Sequence, residues 1–174
     1  VKQDSNWVRG YAPRGQTLVL VENARTNYGA PVMISAINNQ GKCFFLLQRK
    51  AVNAYHFIRF LHRLTLDLGD KGRKLFVICD NARIHHARLV QRWIEAHEKE
   101  IELFYLPAYS PTLNPDEYLN RNLKTELRLQ AAGAHDDNLE RTRAFMERCQ
   151  QETWRVRACF LPEDVQYAQE KLCA

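Results

Sequence analysis

The sequence predicts a single α/β domain in which a mixed β-sheet is covered by helices on both faces. Three β-branched or apolar runs come first, at Thr17–Glu22, Pro31–Asn38 and Lys42–Gln48, and they predict an antiparallel meander. Two further apolar runs, Lys74–Cys79 and Glu102–Leu106, alternate with amphipathic segments, which predicts parallel strands joined through a helix. A chain of 174 residues is long enough for one domain with a proper core.

Turn-forming residues separate the strands of the first half. Residues 1–16 contain Gly10, Pro13 and Gly15, and we expect them to form an extended loop or a short hairpin. The stretch Asn39-Gln-Gly41 predicts a tight turn between the second and third strands, because Asn and Gly tolerate the backbone angles that such turns require.

The helices are predicted from the spacing of apolar residues. Asn53–Leu68 carries apolar side chains at every third or fourth position, which is the period of an amphipathic helix. Ala82–His97 and Asn114–Leu129 are predicted to be the second and third helices, with a proline-containing loop at residues 107–113 before the third. The strand Lys74–Cys79 is almost entirely apolar, which is typical of a strand that is buried on both faces.

The C-terminal part, residues 134–174, is predicted to be a helical extension of the same domain. Gly133 separates it from the third helix. A helix is expected from Leu139 to about Trp154, and a further short helix at residues 162–172.

Composition and charge restrict the class of protein. There are 25 Lys and Arg residues against 20 Asp and Glu, and the resulting net charge of +5 is compatible with a nucleic-acid partner. The longest uncharged apolar run, Cys43–Leu47, is far too short to span a membrane. The five cysteines are scattered without a Cys-x-x-Cys pair, which argues against a zinc site or a disulfide framework and predicts a cytoplasmic location.

Two carboxylates lie where regular structure changes. Asp80 directly follows the fourth predicted strand, and Glu117 lies at the start of the third predicted helix. Because ligand sites in such sheets lie at the carboxyl ends of parallel strands, we expect both side chains to face one crevice. Carboxylate oxygens are the ligands that hard cations such as Mg²⁺ prefer, so the pair is a candidate metal site.

Each carboxylate also has a purely structural interpretation. Asp80 precedes Asn81, and Asp-Asn is a favoured turn pair. Glu117 lies three residues after Asn114, a good N-cap, so it could complete a capping box by accepting from the backbone N–H of that residue. The structural and the metal-binding interpretations are compatible with each other.

Basic residues follow both carboxylates and favour a nucleic-acid interface. On the third predicted helix one side carries Glu117, Arg121, Lys124 and Arg128, and another side carries Leu119, Leu123 and Leu127. The first side therefore presents a carboxylate followed by a cationic stripe, which suits a metal ion beside a phosphate backbone.

Further side chains near the two carboxylates are candidates for contacts with nucleic acid. Arg83 and His85 follow Asp80 and are candidate nucleic-acid contacts. His85 and His86 could instead bind a metal ion or transfer a proton, but their spacing matches no zinc site. For Tyr105 and Tyr109 packing is the expected role and base stacking the alternative.

At these residues the chain resembles the DDE transposases of the mariner-like superfamily, with bacterial insertion sequences as the nearest branch. The resemblance rests on Asp80–His86 (DNARIHH), Phe104–Leu119 (FYLPAYSPTLNPDEYL) and Asn122–Lys124, and the Ser-Pro-x-Leu-Asn-Pro-x-Glu run is its most specific part. It implies a ribonuclease-H-like fold and an acidic triad that binds two Mg²⁺ (or Mn²⁺) ions. It also implies double-stranded DNA as partner, both transposon ends and target, and hence an association with the bacterial nucleoid.

The resemblance assigns two of the three triad acids. By motif match Asp80 is the second acid and Glu117 the third, and Asp116 is the runner-up for the third position. In the family the first acid ends an initial strand, and the resemblance at Tyr11–Gly15 (YAPRG) places that strand just before Val1. Asp4 is the only nearby acid and follows no apolar run, so the expectation is a catalytic domain that is truncated at its N-terminus and lacks the first acid.

Two functions from different classes follow. The first is a transposase catalytic domain that cleaves and rejoins DNA at insertion-sequence ends, incomplete in this chain. The second is a catalytically silent DNA-binding or assembly module of the same fold, or a decayed transposase remnant. A cellular ribonuclease-H-like nuclease is a third hypothesis, which is less favoured because the proline-containing motif is specific to the transposase family. A homodimer is compatible with each function.

Overall fold

The computed structural model describes residues 31–69, 74–129 and 138–169, which form an α/β arrangement. The expected loop at residues 1–16 and the expected strand Thr17–Glu22 lie outside the described residues. The strands are β1 Val32–Ile37, β2 Cys43–Gln48, β3 Leu75–Cys79 and β4 Ile101–Tyr105. The helices are α1 Ala54–Leu68, α2 Arg88–Ala96, α3 Pro115–Leu129, α4 Asn138–Gln151 and α5 Thr153–Ala158, with short 3₁₀ helices at Pro111–Leu113 and Glu163–Ala168.

Strands β1 and β2 form the antiparallel hairpin that the turn residues predict. Their register pairs Val32 with Gln48 and Ile37 with Cys43. The turn between them is closed by the backbone N–H of Asn38, which donates to the carbonyl of Lys42 at 3.1 Å. Gly41 has a φ of +90°, a conformation that glycine adopts without the steric penalty of a Cβ atom.

Strands β3 and β4 form the predicted parallel pair, with α2 between them in the chain. Leu75 pairs with Ile101 and Cys79 pairs with Tyr105. Both strands therefore end at the same edge, and Asp80 is the first residue beyond β3.

The expectation that β3 is buried on both faces is wrong for the described residues. Alternate side chains of a strand point to opposite faces. Cys79 is buried, whereas Phe76 and Ile78 on the other face are 61% and 51% exposed, and Phe104 of β4 is exposed beside them. The described residues also contain no strand that joins β3 and β4 to the β1–β2 hairpin.

Helices cover both faces of the β1–β2 hairpin, as predicted. On one face, Ile34 and Phe44 pack against a core formed by α1, α2, β3 and β4, in which Leu61 and Val90 are fully buried. On the other face, Met33 and Phe45 pack against a second core formed by α3, α4 and α5. The C-terminal helices therefore share a hydrophobic core with α3. Within the part of the chain that the structure describes, no helix is long and apolar enough to cross a membrane.

Two helix boundaries differ from the prediction. Helix α2 begins at Arg88 instead of Ala82, because residues 82–87 form hydrogen-bonded turns that start from Asp80. The predicted helix from Leu139 to about Trp154 is divided at Glu152 into α4 and α5. Helix α1 has the predicted start, since Asn53 caps it by accepting from the N–H of His56 at 3.1 Å.

We expect Gly41→Ala to lower the free energy of unfolding by about 2–4 kcal/mol, because it combines a disfavoured backbone conformation with a steric clash. A Cβ atom on Gly41 would lie 2.7 Å from both the Cβ atom and the carbonyl oxygen of Thr153. Urea denaturation followed by circular dichroism measures the change. The exposed neighbour Gln40→Ala is the control, and a cost for Gly41→Ala no larger than that of the control would contradict the prediction.

Candidate active site

The carboxylate of Asp80 both organises a turn and faces solvent. Its Oδ1 accepts a hydrogen bond from the backbone N–H of Ala82 at 3.0 Å, as in an Asx turn. The side chain is nevertheless 57% exposed. The structural interpretation of Asp80 is therefore confirmed, and it leaves the carboxylate accessible to a ligand.

His85 is oriented towards Asp80 and is largely shielded from solvent. Its Nδ1 lies 3.0 Å from both the Oδ1 and the backbone carbonyl oxygen of Asp80. The imidazole ring packs at 4.3 Å from the ring of Phe57, and its side chain is only 15% exposed. His85 therefore holds the Asp80 side chain, and its contact with nucleic acid stays a prediction.

Asn81 joins the end of β3 to the loop that follows β4. Its side-chain amide donates to the carbonyl of Leu106, and its Oδ1 lies 3.1 Å from Nε2 of His86. The ring of His86 stacks on Tyr105 with a centroid separation of 4.4 Å. The sequence predicted Asn81 only as part of a turn and did not predict these contacts of Asn81 and His86, although both residues lie within the DNARIHH motif that carried the resemblance.

The two tyrosines near this loop have different environments. Tyr105 is partly buried, and its hydroxyl donates to the carbonyl of His85 at 3.2 Å, so the expected packing role is confirmed. Tyr109 is 103% exposed and has a φ of 57°, so the packing role expected for it is wrong as far as the described residues are concerned.

The first turn of α3 is capped without the help of Glu117. The Oδ1 of Asn114 accepts from the N–H of Asp116 at 3.0 Å. In a capping box the N–H of Asn114 would donate to the Glu117 side chain. Here that N–H donates to the carbonyl of Pro111 at 3.1 Å instead. The capping-box interpretation is therefore wrong, and no side-chain hydrogen bond of Glu117 is present among the described residues.

Glu117 opens instead into a cleft with the cationic stripe of α3. The cleft has a volume of about 430 Å³ and is lined by Pro111, Thr112, Glu117, Arg121, Lys124, Thr125 and Arg128. The opposite side of α3 packs into the core, where Leu119, Leu123 and Leu127 are buried. The two faces predicted for this helix are thus present. Asp80 and Arg83 lie outside the lining of the cleft, and Arg83 is exposed on the turn after Asp80.

Asp116 points away from the cleft and towards β1. Its Oδ2 accepts from the hydroxyl of Ser35 at 2.7 Å and from the side-chain amide of Asn120 at 3.2 Å, while its Oδ1 is buried without a partner. Burial raises the pKa of Asp116 to about 6, and the negative charges of Glu117 and Asp80 add to the rise. Asp80 and Glu117 therefore lie close enough to this carboxyl to act on it electrostatically.

The described residues do not complete a metal site by themselves. They contain no group of three His, Cys, Asp or Glu side chains placed to hold a metal ion. Asp4, the one acid near the expected first position, lies outside the described residues. Asp80 and Glu117 are chemically suited to a hard divalent cation, and a further ligand would come from outside this part of the chain.

Comparisons with known proteins identify a family and similar folds. A family profile described as DDE superfamily endonuclease matches residues 1–140. The structure of the Mos1 transposase paired-end complex with left transposon end superposes with a TM-score of 0.55 at 19% sequence identity, over 92% of this chain and 51% of that chain. The Mos1 mariner paired-end complex with Mn gives a TM-score of 0.55 at 19% identity, over 86% of this chain and 49% of that chain.

These similarities confirm the predicted fold class, a ribonuclease-H-like mixed α/β arrangement. At 19% identity they show the fold and not the activity. The chain spans about half the length of the two transposase chains. No curated protein matches the sequence.

We expect Asp116→Asn to remove a pH dependence of folding stability. Because the folded-state pKa is raised to about 6, the contribution of this carboxyl is fully present below about pH 4 and is lost as the pH rises through 6. At about pH 8 the variant should exceed the wild type by up to about 3 kcal/mol in free energy of unfolding, and at about pH 4 this advantage should vanish. Urea denaturation at both pH values, in EDTA, measures the difference.

Ser35→Ala is the matched control for this carboxyl. The Ser35 hydroxyl stabilises the charged form of Asp116, so its removal should cost more stability at high pH than at low pH, which is the opposite trend to Asp116→Asn. A stability difference between wild type and Asp116→Asn that does not vary with pH would contradict the assignment.

Proposed function

The chain belongs to the DDE superfamily endonucleases, and from that premise we propose that it is the catalytic domain of a transposase. It would cleave DNA and transfer strands at the ends of an insertion sequence by two-metal phosphodiester chemistry. Asp80 and Glu117 would be two of its three triad acids. The observation that carries the proposal is the cleft of α3, in which the Glu117 carboxylate adjoins a cationic stripe.

The proposed metal ligands come from two places, the end of β3 and the cleft of α3. Asp80 and Glu117 offer oxygen ligands to Mg²⁺ or Mn²⁺, and one of the two similar solved structures is itself a complex with Mn. His85 holds the Asp80 carboxylate through its Nδ1, which limits the rotation of that side chain. When bound, a pair of such ions would activate the attacking water or 3′-hydroxyl and stabilise the leaving oxygen.

The cations of α3 are suited to hold the DNA backbone. Arg121, Lys124 and Arg128 line the cleft on the side of Glu117, and Arg83 is exposed near Asp80. Phosphate contacts of this kind position a duplex without reading its sequence. The proposed partner is therefore double-stranded DNA, both transposon ends and target, and one of the similar structures contains a left transposon end. A bacterial protein with this partner would be cytoplasmic and associated with the nucleoid while bound.

We expect Asp80→Asn and Glu117→Gln each to weaken Mn²⁺ binding by roughly tenfold or more, because each removes a charged oxygen ligand. The electron paramagnetic resonance signal of free Mn²⁺, recorded during a titration of the protein, measures the affinity. Glu163→Gln, which removes an exposed acid on the C-terminal 3₁₀ helix, is the control with the same change of charge.

The outcomes separate the two functions. Mn²⁺ binding that depends on Asp80 and Glu117 supports the catalytic domain. DNA binding with negligible Mn²⁺ affinity would instead support the catalytically silent module. Nicking of supercoiled DNA that survives Asp80→Ala would overturn the assignment of the site.

We expect Lys124→Ala to weaken binding to duplex DNA and to reduce the slope of log K against log salt concentration by about 1, because one phosphate contact is lost. Fluorescence anisotropy at several salt concentrations measures both quantities. Arg63→Ala on α1 is the control, since Arg63 lies outside the cleft and pairs with Asp67 at 3.2 Å. Equal slopes for wild type and Lys124→Ala would show that the cleft does not hold phosphates.

A further inference from the structure

Tyr109 is the most exposed of the large hydrophobic side chains that the structure describes. Its exposure is 103%, against 69% for Tyr55, the next most exposed aromatic residue. It lies in the loop between β4 and the 3₁₀ helix Pro111–Leu113, so no packing within the described chain accounts for an aromatic side chain at this position.

The backbone of Tyr109 is also held in a conformation that bulky residues avoid. Its φ of 57° lies in the left-handed region, and Tyr109 is the only non-glycine residue there among those that the structure describes. Glycine would adopt this conformation without a steric penalty. An aromatic side chain that is fully exposed and held in a disfavoured backbone conformation is a candidate for contact with a partner.

The surrounding loop is tied down on both sides of Tyr109. The backbone N–H of Leu106 donates to the carbonyl of Cys79 at 2.8 Å, and the N–H of Leu113 donates to the carbonyl of Ser110 at 3.2 Å. Pro107 and Pro111 further restrict the backbone. The ring is therefore presented from a supported loop, which lowers the entropic cost of a stacking contact.

The loop also connects the two carboxylate-bearing elements. It begins at Leu106, whose carbonyl accepts from the Asn81 side chain next to Asp80, and it leads into the helix that carries Glu117. Its residues Pro111 and Thr112 line the cleft with the cations of α3. An aromatic side chain beside an electropositive groove is the arrangement with which proteins bind unpaired nucleic acid.

We propose that Tyr109 stacks on an unpaired DNA base adjacent to the phosphate held in the cleft. This inference rests on the proposed function, since it takes DNA as the partner, and it names the class of substrate. That substrate is DNA with an unstacked or single-stranded nucleotide next to the site of cleavage. The contact is with the face of the base, so it carries little sequence preference.

The test uses a short duplex with a single-stranded overhang that contains 2-aminopurine, and a blunt duplex of the same sequence. Stacking of Tyr109 should quench the 2-aminopurine fluorescence, and the wild-type chain should bind the overhang duplex more tightly. Tyr109→Gly, which suits the left-handed backbone, should abolish the quenching and weaken overhang binding by roughly 5-fold to 100-fold while leaving blunt-duplex binding unchanged. Tyr109→Phe should retain both properties because it keeps the ring.

Two controls distinguish stacking from loss of structure. Tyr109→Gly should unfold at a temperature no lower than the wild type, because it relieves the backbone conformation. Trp154→Ala removes another exposed aromatic, on α5, and should leave quenching unchanged.

Other outcomes would contradict either the role of Tyr109 or the proposed function. Binding to DNA without quenching, or quenching that survives Tyr109→Gly, would overturn the role of Tyr109 and leave the proposed function intact. A wild-type chain that binds neither duplex would overturn the proposed function together with this inference.

Discussion

Parallel pairing of β3 with β4 brings the end of each strand to one edge, and the candidate site depends on that alignment. The backbone hydrogen bond from Leu106 to Cys79 continues the pairing past the last residue of β4. The Asn81 side chain then donates to the carbonyl of the same Leu106. The segment that carries Asp80 and the loop that leads to Glu117 are thus bonded to each other directly. Because hydrogen bonds between two segments oppose their separate movement, the relative position of the two carboxylates is set by the sheet before any ligand binds.

The position of the first turn of α3 is also fixed by the carboxyl of Asp116, whose burial reduces the stability of the fold. Asp116 has one oxygen without a partner and a raised pKa, both of which oppose stability at neutral pH. The same side chain accepts from Ser35 of β1, and it thereby links the first turn of α3 to the β1–β2 hairpin. Glu117 is the next residue, so the position of its backbone is fixed relative to both strand pairs. The cost in stability of burying Asp116 is explained if this side chain positions Glu117.

Much of this arrangement could be predicted from the sequence because its pattern is local. The spacing of Leu119 and Leu123 identified the buried side of α3, and the side opposite to it became the cationic cleft. The start of α2 was predicted too early for a different reason. The side chains of Asp80 and His85 form hydrogen bonds with nearby backbone groups, and these bonds compete with helix formation. The spacing of apolar residues contains no information about such bonds. The exposure of Phe76 was missed because an apolar run does not reveal which of its faces another element covers. The capping role of Glu117 failed for a similar reason, since the Pro111 carbonyl competes for the same N–H.

The candidate site combines charges of both signs, with Asp80 at the end of β3 and Glu117 beside the cations of the cleft. Asp80 and Glu117 repel a DNA backbone that arrives alone, and the cations of α3 repel a divalent metal ion that arrives alone. In the proposed function, a bound metal ion and a bound DNA backbone would each neutralise the charge that opposes the other. Their binding free energies would then be coupled favourably and reciprocally, so DNA should raise metal affinity by the factor by which metal raises DNA affinity. In the proposed function, an exposed site of this kind would bind its metal weakly on its own, and the DNA substrate would help to complete it.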